Sequence, residues 1–328
     1  MSIGGRPFRF ALKILVTVAT LSWFFSTVPV RILLNNLADV NWRAVAPAFL
    51  VYSAWIVPNA LRWKSIAKAC GFPFPLRTSA RLYLIGTFFN AFLPTGNGGD
   101  IVRGLLMSNR TRYPLGGILG TIVVERITGL LVSLGLIIIT GLTVFLKVFR
   151  LKGVLLSAAI LSACTIAVCI LLFSRRFRNL VKPVMQGMLL RRFHDGARDA
   201  VHVMDACRRN PRVMGAAFLA TFANQFIQIA GGFVLSSAIP NLSAPFSVFM
   251  VVIPLGFISV LLPSIGGYGV SESGTILFFG WFGVQKEPAA VFAICRLLIV
   301  WFFALAGAIL FVLDRQGKKK DLFLSGND

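Results

Sequence analysis

Long stretches without charged residues constrain this chain more than any other feature of its sequence. The longest runs from Val213 to Ser271 without an Asp, Glu, Lys or Arg, and shorter ones recur along the chain. A helix needs about 20 mostly apolar residues to cross a membrane. Only 13% of the residues are charged, whereas soluble globular domains carry about 25%. The sequence therefore predicts an all-α integral membrane protein and excludes a water-soluble fold.

Six of the apolar runs are predicted to be transmembrane helices. They cover residues 14–30, 44–61, 114–146, 153–174, 213–238 and 288–313. Two further runs, residues 82–107 and 246–284, are interrupted by Pro- and Gly-rich segments that a helix cannot continue through. Backbone that opens at membrane depth must line a protein-enclosed or watery cavity. We expect re-entrant helical hairpins at both places, the first entering from the cytoplasm and the second from the opposite side.

The formal net charge of +22 is interpreted as a topology signal. Threading the six spans alternately through the bilayer puts 24 of the 33 Lys and Arg on the cytoplasmic side, Arg62 and Arg81 among them. Six lie outside and three at membrane depth. Both termini are then cytoplasmic, in the inner (cell) membrane of a bacterium. A soluble protein this basic would suggest a nucleic-acid partner, but topology accounts for the charge and no such partner is expected.

Residues 1–328 are interpreted as one polytopic membrane domain with an internal repeat. Repeat one covers residues 44–146 and contains the hairpin 82–107, and repeat two covers residues 213–313 and contains the hairpin 246–284. Residues 147–212 hold the fifth crossing region, counting the first hairpin, and a basic cytoplasmic loop. Residues 314–328 form a cytoplasmic tail.

The two repeats align at an offset of about 169, which places Leu262 on Leu93 and Glu272 on Arg103. One repeat starts outside and the other inside, so we predict an inverted repeat. Secondary transporters hold their substrates near the midplane between such repeats. The alternative is that both Pro-Gly segments are ordinary loops between complete spans, which would put a basic cluster on the wrong side.

Ionisable residues at membrane depth are the candidate functional residues. Each costs at least ~2.5–3.5 kcal/mol to insert, so we expect them to be paired or to face a cavity. They are three acids and three arginines: Asp100, Glu125, Glu272, Arg103, Arg126 and Arg296. Two interpretations stay open and are compatible with each other: buried ion pairs that join helices, and a binding site for a lipid headgroup.

Two glycine pairs and a polar stripe complete the candidate site. Gly98-Gly99 and Gly266-Gly267 are each expected to open a half-helix whose first N–H groups accept an anion. A guanidinium from the same repeat would bind two further phosphate oxygens. Asn224 and Gln228 lie on a polar helix face and are expected to bond a neighbouring helix or, as an alternative, a headgroup.

No cofactor and no metal ion are expected. The five cysteines are scattered and form no CxxC pattern. One spaced set of residues in the basic loop could be a metal face: His194, Asp195, Asp199, His202 and Asp205. The ten Lys and Arg between residues 175 and 212 favour instead a solvated amphipathic helix lying on anionic lipid.

Several motifs resemble the lysylphosphatidylglycerol synthase transmembrane region, also called the flippase-like domain family. They are Phe88-Phe89-Asn90-Ala91-Phe92-Leu93-Pro94, Gly98-Gly99-Asp100-Ile101-Val102-Arg103, Val123-Val124-Glu125-Arg126-Ile127-Thr128-Gly129, and Leu262-Pro263 with Gly266-Gly267-Tyr268-Gly269 and Glu272. In the family's best-known members this region is joined to a soluble aminoacyl-transferase domain and moves the aminoacylated lipid outward. The chain ends at Asp328, so the resemblance implies a stand-alone member that translocates lipid without synthesising the headgroup.

The sequence thus predicts a lipid translocase for an anionic or phosphate-containing lipid, of phospholipid, hopanoid-related or polyprenyl-phosphate-linked type. No ATP-binding motif is present, so movement is expected to be downhill or coupled to an ion gradient. The alternative function is a non-transporting accessory or lipid-binding subunit that works with a partner enzyme of lipid or glycan biosynthesis. An enzyme is not expected, because no nucleophile and base are placed together at membrane depth.

Overall fold

The computed structural model describes residues 5–93, 98–145, 194–259 and 264–324, and the single residue Ala163. These residues form helices and no strands. The helices are α1 Gly5–Thr27, α2 Val30–Ala38, α3 Trp42–Ser53, α4 Ile56–Ala69, α5 Leu76–Phe92, α6 Gly98–Thr111, α7 Leu115–Phe145, α8 His194–Arg209, α9 Pro211–Ser236, α10 Phe246–Ser259, α11 Val270–Gly280 and α12 Lys286–Leu324.

Four helical stretches within the described residues are long and apolar enough to cross a membrane. They are Trp42–Ala69, Leu115–Thr140, Pro211–Ser236 and Lys286–Asp314. The bent pair α1 and α2 adds a fifth if it is a single span. These five match five of the six predicted crossings, which makes the chain a multi-pass membrane protein. The sixth, at residues 153–174, lies outside the described residues.

The first predicted span is bent. The axes of α1 and α2 meet at 68°, and the break falls at Val28 and Pro29. Proline cannot donate a backbone hydrogen bond, and its ring disfavours helical geometry at the residue before it. The predicted straight run over residues 14–30 therefore divides into two helices.

The first interrupted run, α5 and α6, folds back on itself as an antiparallel hairpin. At its base, the Tyr113 hydroxyl donates to the Pro73 carbonyl oxygen at 3.0 Å. Near its tip, the Gly99 N–H donates to Oδ1 of Asn90 at 2.8 Å. A β-carbon on Gly99 would overlap the Gly86 carbonyl, so glycine is required for this close helix packing. The predicted breaker residues 94–97 lie outside the described residues.

The second interrupted run, α10 and α11, is also an antiparallel hairpin. The rings of Phe249 and Phe279 lie 5.4 Å apart at its base. Toward the tip, a β-carbon on Gly274 would lie 3.4 Å from Oγ of Ser259. The turn into α11 uses left-handed backbone at Gly267, with φ of 82°, which glycine adopts without strain.

The two hairpins pack against α12 from its opposite ends. At the base of the first, Arg81 forms an ion pair with Asp314, near the end of α12. At the base of the second, the Phe279 ring lies 5.2 Å from that of Phe292, near the start of α12. The tips meet between these points, since a β-carbon on Gly266 would lie 3.1 Å from the carbonyl oxygen of Ala91.

The stretch Trp42–Ala69 packs antiparallel to α9. Tyr52 contacts Gly231, the Asn59 amide donates to Asn224 at 2.8 Å, and Arg62 donates to Thr221 at 3.0 Å. Residue numbers rise along one helix as they fall along the other. Long, short, short and long helical stretches follow each other twice along the chain, in α3 to α7 and again in α9 to α12.

Two apolar clusters lie above and below a polar layer. One cluster includes Tyr52, Leu136 and Ile229, and the other includes Trp63, Ile122 and Ala217. The pairs Tyr52 and Trp63, Leu136 and Ile122, and Ile229 and Ala217 each lie on one helical stretch, with one member in each cluster. Polar positions separate the two members of each pair. The candidate site therefore occupies a layer between two apolar cores.

Helix α8 belongs to the second apolar cluster. Val203 and Cys207 are fully buried there, and the Cys70 thiol lies 3.9 Å from the Val203 carbonyl oxygen. The sequence predicted a solvated helix lying on lipid, but the apolar face of α8 packs against protein.

Candidate functional site

A polar cavity of about 290 Å³ lies in the layer between the two clusters. Its lining comes from α4, α5, α6, α7, α9, α10 and α12. The polar side chains in this lining are Asn59, Arg62, Tyr83, Thr87, Asn90, Asp100, Arg103, Glu125, Arg126, Thr221, Asn224, Gln225, Gln228 and Arg296. Seven of the residues predicted from the sequence are therefore brought together here.

Glu125 is the centre of the buried ion-pair network. Its carboxylate accepts from Nε of Arg62 at 3.1 Å, from the Tyr83 hydroxyl at 2.5 Å and from Nη2 of Arg103 at 2.7 Å. Glu125 and Arg103 are each only 2% exposed. A buried carboxylate with three donors is fully engaged in holding α4, α5, α6 and α7 together.

Asp100 connects the network to Arg126. Nε of Arg126 donates to Oδ2 of Asp100 at 2.6 Å, and Nη2 of Arg126 binds the same oxygen. Nε of Arg103 lies 3.2 Å from the other oxygen of Asp100. Adjacent residues of α7 lie about 100° apart around the helix, and accordingly Glu125 and Arg126 bind different partners.

The Arg103 guanidinium is also held by aromatic rings. Its Cζ lies 4.2 Å from the ring centre of Tyr83 and 4.7 Å from that of Trp63. A cation over an aromatic face is attracted by the ring's quadrupole, more strongly where water is excluded. Nη1 of Arg103 has no hydrogen-bond partner among the described residues.

Arg62 is a site residue that the sequence analysis missed. It was predicted to lie at the cytoplasmic end of the second span, but it is only 9% exposed and donates to Glu125, Thr221 and Asn59. The helix continues past the predicted end of the span to Ala69. Asn59 and Arg62 are three residues apart on one helix face, and this spacing was the signal available in the sequence.

Glu272 lies at a second cavity of about 240 Å³, which is also lined by Gly266, Gly267, Arg126 and Arg296. Its Oε2 accepts from the Gly269 N–H at 2.7 Å, so the side chain caps its own helix, α11. Gly266 and Gly267, which were predicted to bind an anion, line this cavity. The first turn of α11, however, is capped by the Glu272 carboxylate.

Gly98 and Gly99 are buried but line none of the four cavities described for these residues. The Gly99 N–H is donated to Asn90. The prediction that Gly99 offers a free donor to an anion is therefore wrong, because the close packing of α5 and α6 uses it.

Arg296 is common to three cavities. It lines the two polar ones and a third of about 200 Å³, where its neighbours include Trp55, Ile299, Val300 and Phe303. No hydrogen bond or ion pair joins Arg296 to another described residue. Arg62, Arg103 and Arg126 all have carboxylate partners, so among the arginines that line these three cavities Arg296 alone has no ion pair with a described residue.

Asn224 and Gln228 both line the first cavity, and Gln228 also lines the third. Asn224 accepts from Asn59 and so joins two helices, while neighbouring Gln225 bonds Ser133 of α7. The predicted helix contact is therefore present at Asn224, while contact of this stripe with a headgroup stays a prediction. Among the residues that the structure describes, no three His, Cys, Asp or Glu side chains come together as a metal site.

Comparison with known proteins gives a family. Residues 10–307 match the family described as lysylphosphatidylglycerol synthase TM region. Searching the curated proteins gives no match. The match covers most of the chain and includes every residue of the charged network. The chain belongs to the family of the lysylphosphatidylglycerol synthase transmembrane region.

Proposed function

We propose that the protein is a lipid translocase that moves an anionic or phosphate-containing lipid between the leaflets of the inner membrane of a bacterium. One observation carries the proposal: two helical hairpins approach from opposite ends of α12 and meet tip to tip beside unpaired Arg296. We take both hairpins as re-entrant. The chain then acts as a transporter and not as an enzyme.

The layered arrangement of the long helices supports a site at mid-depth. On α9, buried Ala217 lies in one apolar cluster and Ile229 belongs to the other. Between them, the cavity is lined by Thr221, Asn224, Gln225 and Gln228. A bilayer-spanning helix that changes from apolar to polar and back brings its polar residues near the membrane centre. Inverted-repeat transporters place their substrates at this depth.

The third cavity supports an amphiphilic substrate. It shares Arg296 with the polar cavities, but its other lining residues are mostly aromatic or aliphatic. A headgroup phosphate at Arg296 would leave the adjoining acyl chain beside Trp55 and Phe303. Transport would then require only the headgroup to pass through the protein, while the chains stay in hydrocarbon through a lateral opening.

Leaflet exchange in reconstituted vesicles tests the function. Purified protein is placed in liposomes that contain a fluorescent phosphatidylglycerol, and dithionite quenching measures how much label reaches the outer leaflet. We expect exchange with the natural protein, a strong loss with Arg296→Gln, and unchanged exchange with Arg43→Gln. Arg43 is exposed and lies outside the cavities, so it controls for the loss of one positive charge.

The accessory-subunit alternative predicts the opposite result. If the folded natural protein moves none of a set of anionic and zwitterionic lipids, the translocase proposal fails. Capture of a biosynthetic enzyme that depends on the exposed basic residues of α8, such as Arg208, would then support the accessory function.

A further inference from the structure

The two polar cavities share Arg126 and Arg296 and are together called the chamber. We infer that the headgroup recognised in this chamber carries a phosphate and hydroxyl groups but no free amine, as in a glycerol-phosphate or sugar-phosphate lipid. The inference rests on the proposed lipid-binding role of the chamber and specifies its substrate class. It excludes the aminoacylated headgroup that the family's name suggests.

The acidic residues of the chamber are already engaged. Glu125 accepts from Arg62, Tyr83 and Arg103. Asp100 binds Arg126, and Glu272 accepts the Gly269 N–H. A headgroup ammonium would have to displace an arginine at Asp100 or Glu125, or approach the remaining oxygen of Glu272 in the cavity that Arg126 and Arg296 also line. It would do so among four arginines and only three carboxylates, where like charges repel it.

The positive groups of the chamber are not all engaged. Arg296 has no hydrogen bond or ion pair with another residue that the structure describes. Nη1 of Arg103 has no hydrogen-bond partner among these residues either. A guanidinium binds two phosphate oxygens in one plane, and such charge-assisted bonds are the strongest available. An anion is therefore the ligand that satisfies the groups left over by the protein's own network.

Neutral amides provide the second half of the recognition. Asn90 and Asn224 use their carbonyl oxygens as acceptors for Gly99 and Asn59, and no described hydrogen bond uses their NH₂ groups. The Gln228 amide has no described partner either. All three line the polar cavity. Hydroxyl groups both donate and accept, so a polyol or a sugar can accept from the NH₂ groups of all three amides, whereas an ammonium, which only donates, could bond only the Gln228 carbonyl oxygen.

Lipid binding to the purified full chain in detergent tests the inference, with native mass spectrometry or a thermal shift as the readout. The probes share one pair of acyl chains and differ in headgroup: phosphatidylglycerol, phosphatidic acid, phosphatidylethanolamine, lysyl-phosphatidylglycerol and a glucosyl diacylglycerol. We expect phosphatidylglycerol to bind about tenfold or more tightly than the two amine-bearing lipids. Equal or tighter binding of either amine-bearing lipid overturns the inference.

Two variants separate the two halves of the headgroup. Arg296→Gln is expected to abolish the preference for phosphatidylglycerol over the phosphate-free glycolipid. Gln228→Leu is expected to abolish the preference for phosphatidylglycerol over phosphatidic acid, whose headgroup has no polyol. Arg43→Gln should keep both preferences. If neither chamber variant changes either preference while both proteins stay folded, the assigned contacts are wrong.

Two further measurements identify the source of the ligand and separate this inference from the translocase proposal. Soluble glycerol phosphate without acyl chains should compete weakly with phosphatidylglycerol, whereas equal affinity would indicate a free polyol phosphate as the ligand and overturn the lipid class. Selective binding without leaflet exchange leaves the headgroup assignment standing and rejects the translocase. Leaflet exchange without headgroup selectivity supports the translocase and rejects the headgroup assignment.

Discussion

Asp100 and Glu272 are each the third residue of the second half-helix of a hairpin, yet they bind different groups. Asp100 binds Arg126 of α7, whereas Glu272 caps the Gly269 N–H of its own helix. Arg126 and Arg296 occupy corresponding positions about three turns into the long helix that follows each hairpin. This difference leaves Arg296 without the direct carboxylate contact that its counterpart has, although Glu272 lines the same cavity.

Neutralising these two acids should therefore have unequal effects on stability. Asp100→Asn removes the charge that faces Arg103 and Arg126, and breaking a buried ion pair costs about 3–5 kcal/mol. We expect the low end of that range, because the Arg126 side chain is 44% exposed. Glu272→Gln keeps an acceptor for the Gly269 N–H and should cost less than about 1 kcal/mol. Denaturant unfolding in detergent compares the two, and equal losses would contradict the different roles.

Gly99→Ala should disrupt the first hairpin. The added β-carbon would overlap the backbone carbonyl of Gly86 and would also crowd the Asn90 side chain that accepts the Gly99 N–H. Gly135→Ala in α7 is the matched control, since nothing lies within 4 Å of its added carbon. Replacing a helical glycine by alanine without a clash stabilises by about 0.5–1 kcal/mol. The thermal midpoint should fall for Gly99→Ala and stay equal or rise for Gly135→Ala.

The helical architecture and most of the chamber could be predicted from local sequence patterns. Apolar runs predict spans because the bilayer sets their length, and Pro with clustered Gly interrupts helices wherever it occurs. Charged residues such as Arg103 and Arg296 stand out against such runs. These signals need no knowledge of which helices are neighbours.

The pairing within the chamber could not be predicted, because it depends on which helices meet. The sequence alignment placed Glu272 on Arg103, but the first residues of α6 and α11 place Glu272 on Asp100. The offset between repeats is therefore not constant along the chain. The apolar run stops at Leu61, so the sequence places Arg62 at the membrane surface. The helix continues for two more turns, to Ala69.

Arg62 and Lys68 provide a test of that correction within one helix. Sequence alone treats both as cytoplasmic flanking charges, whereas the structure buries Arg62 against Glu125 and leaves Lys68 exposed. Arg62→Gln removes one partner of a buried pair and should destabilise by about 3–5 kcal/mol. Lys68→Gln should cost no more than about 1 kcal/mol, the value of a cation near a helix C-terminus. Similar unfolding free energies for the two variants would restore the surface assignment of Arg62.

The base of the first hairpin should show a salt-dependent contribution to stability. Asp314 of α12 forms ion pairs with Arg81 of α5 and Arg110 of α6. The Arg81 side chain is 37% exposed, so the pairs are partly screened and together contribute about 1 kcal/mol. Asp314→Asn should lower the thermal midpoint in 50 mM salt, and the difference from the natural protein should shrink in 1 M salt. A difference that does not depend on salt would show that packing, not charge, is lost.

The direction of the two hairpins can be measured by labelling cysteines from each side of the membrane. Exposed Arg77 and Asn109 lie at the base of the first hairpin, and exposed Ser243 and Gln285 lie at the base of the second. The reagent is a membrane-impermeant maleimide, used on single-cysteine variants made in a background without the native cysteines.

We expect Arg77→Cys and Asn109→Cys to react from one side of sealed vesicles, and Ser243→Cys and Gln285→Cys to react only from the other. The reason is that each hairpin returns to the end of α12 from which it starts, and the two bases lie near Asp314 and Phe292 respectively. The vesicles are labelled before and after permeabilisation, so that each variant serves as its own control for reactivity. Labelling of Arg77→Cys and Asn109→Cys from opposite sides would make the first hairpin a single crossing, and labelling of all four variants from one side would contradict the opposed entry of the two hairpins.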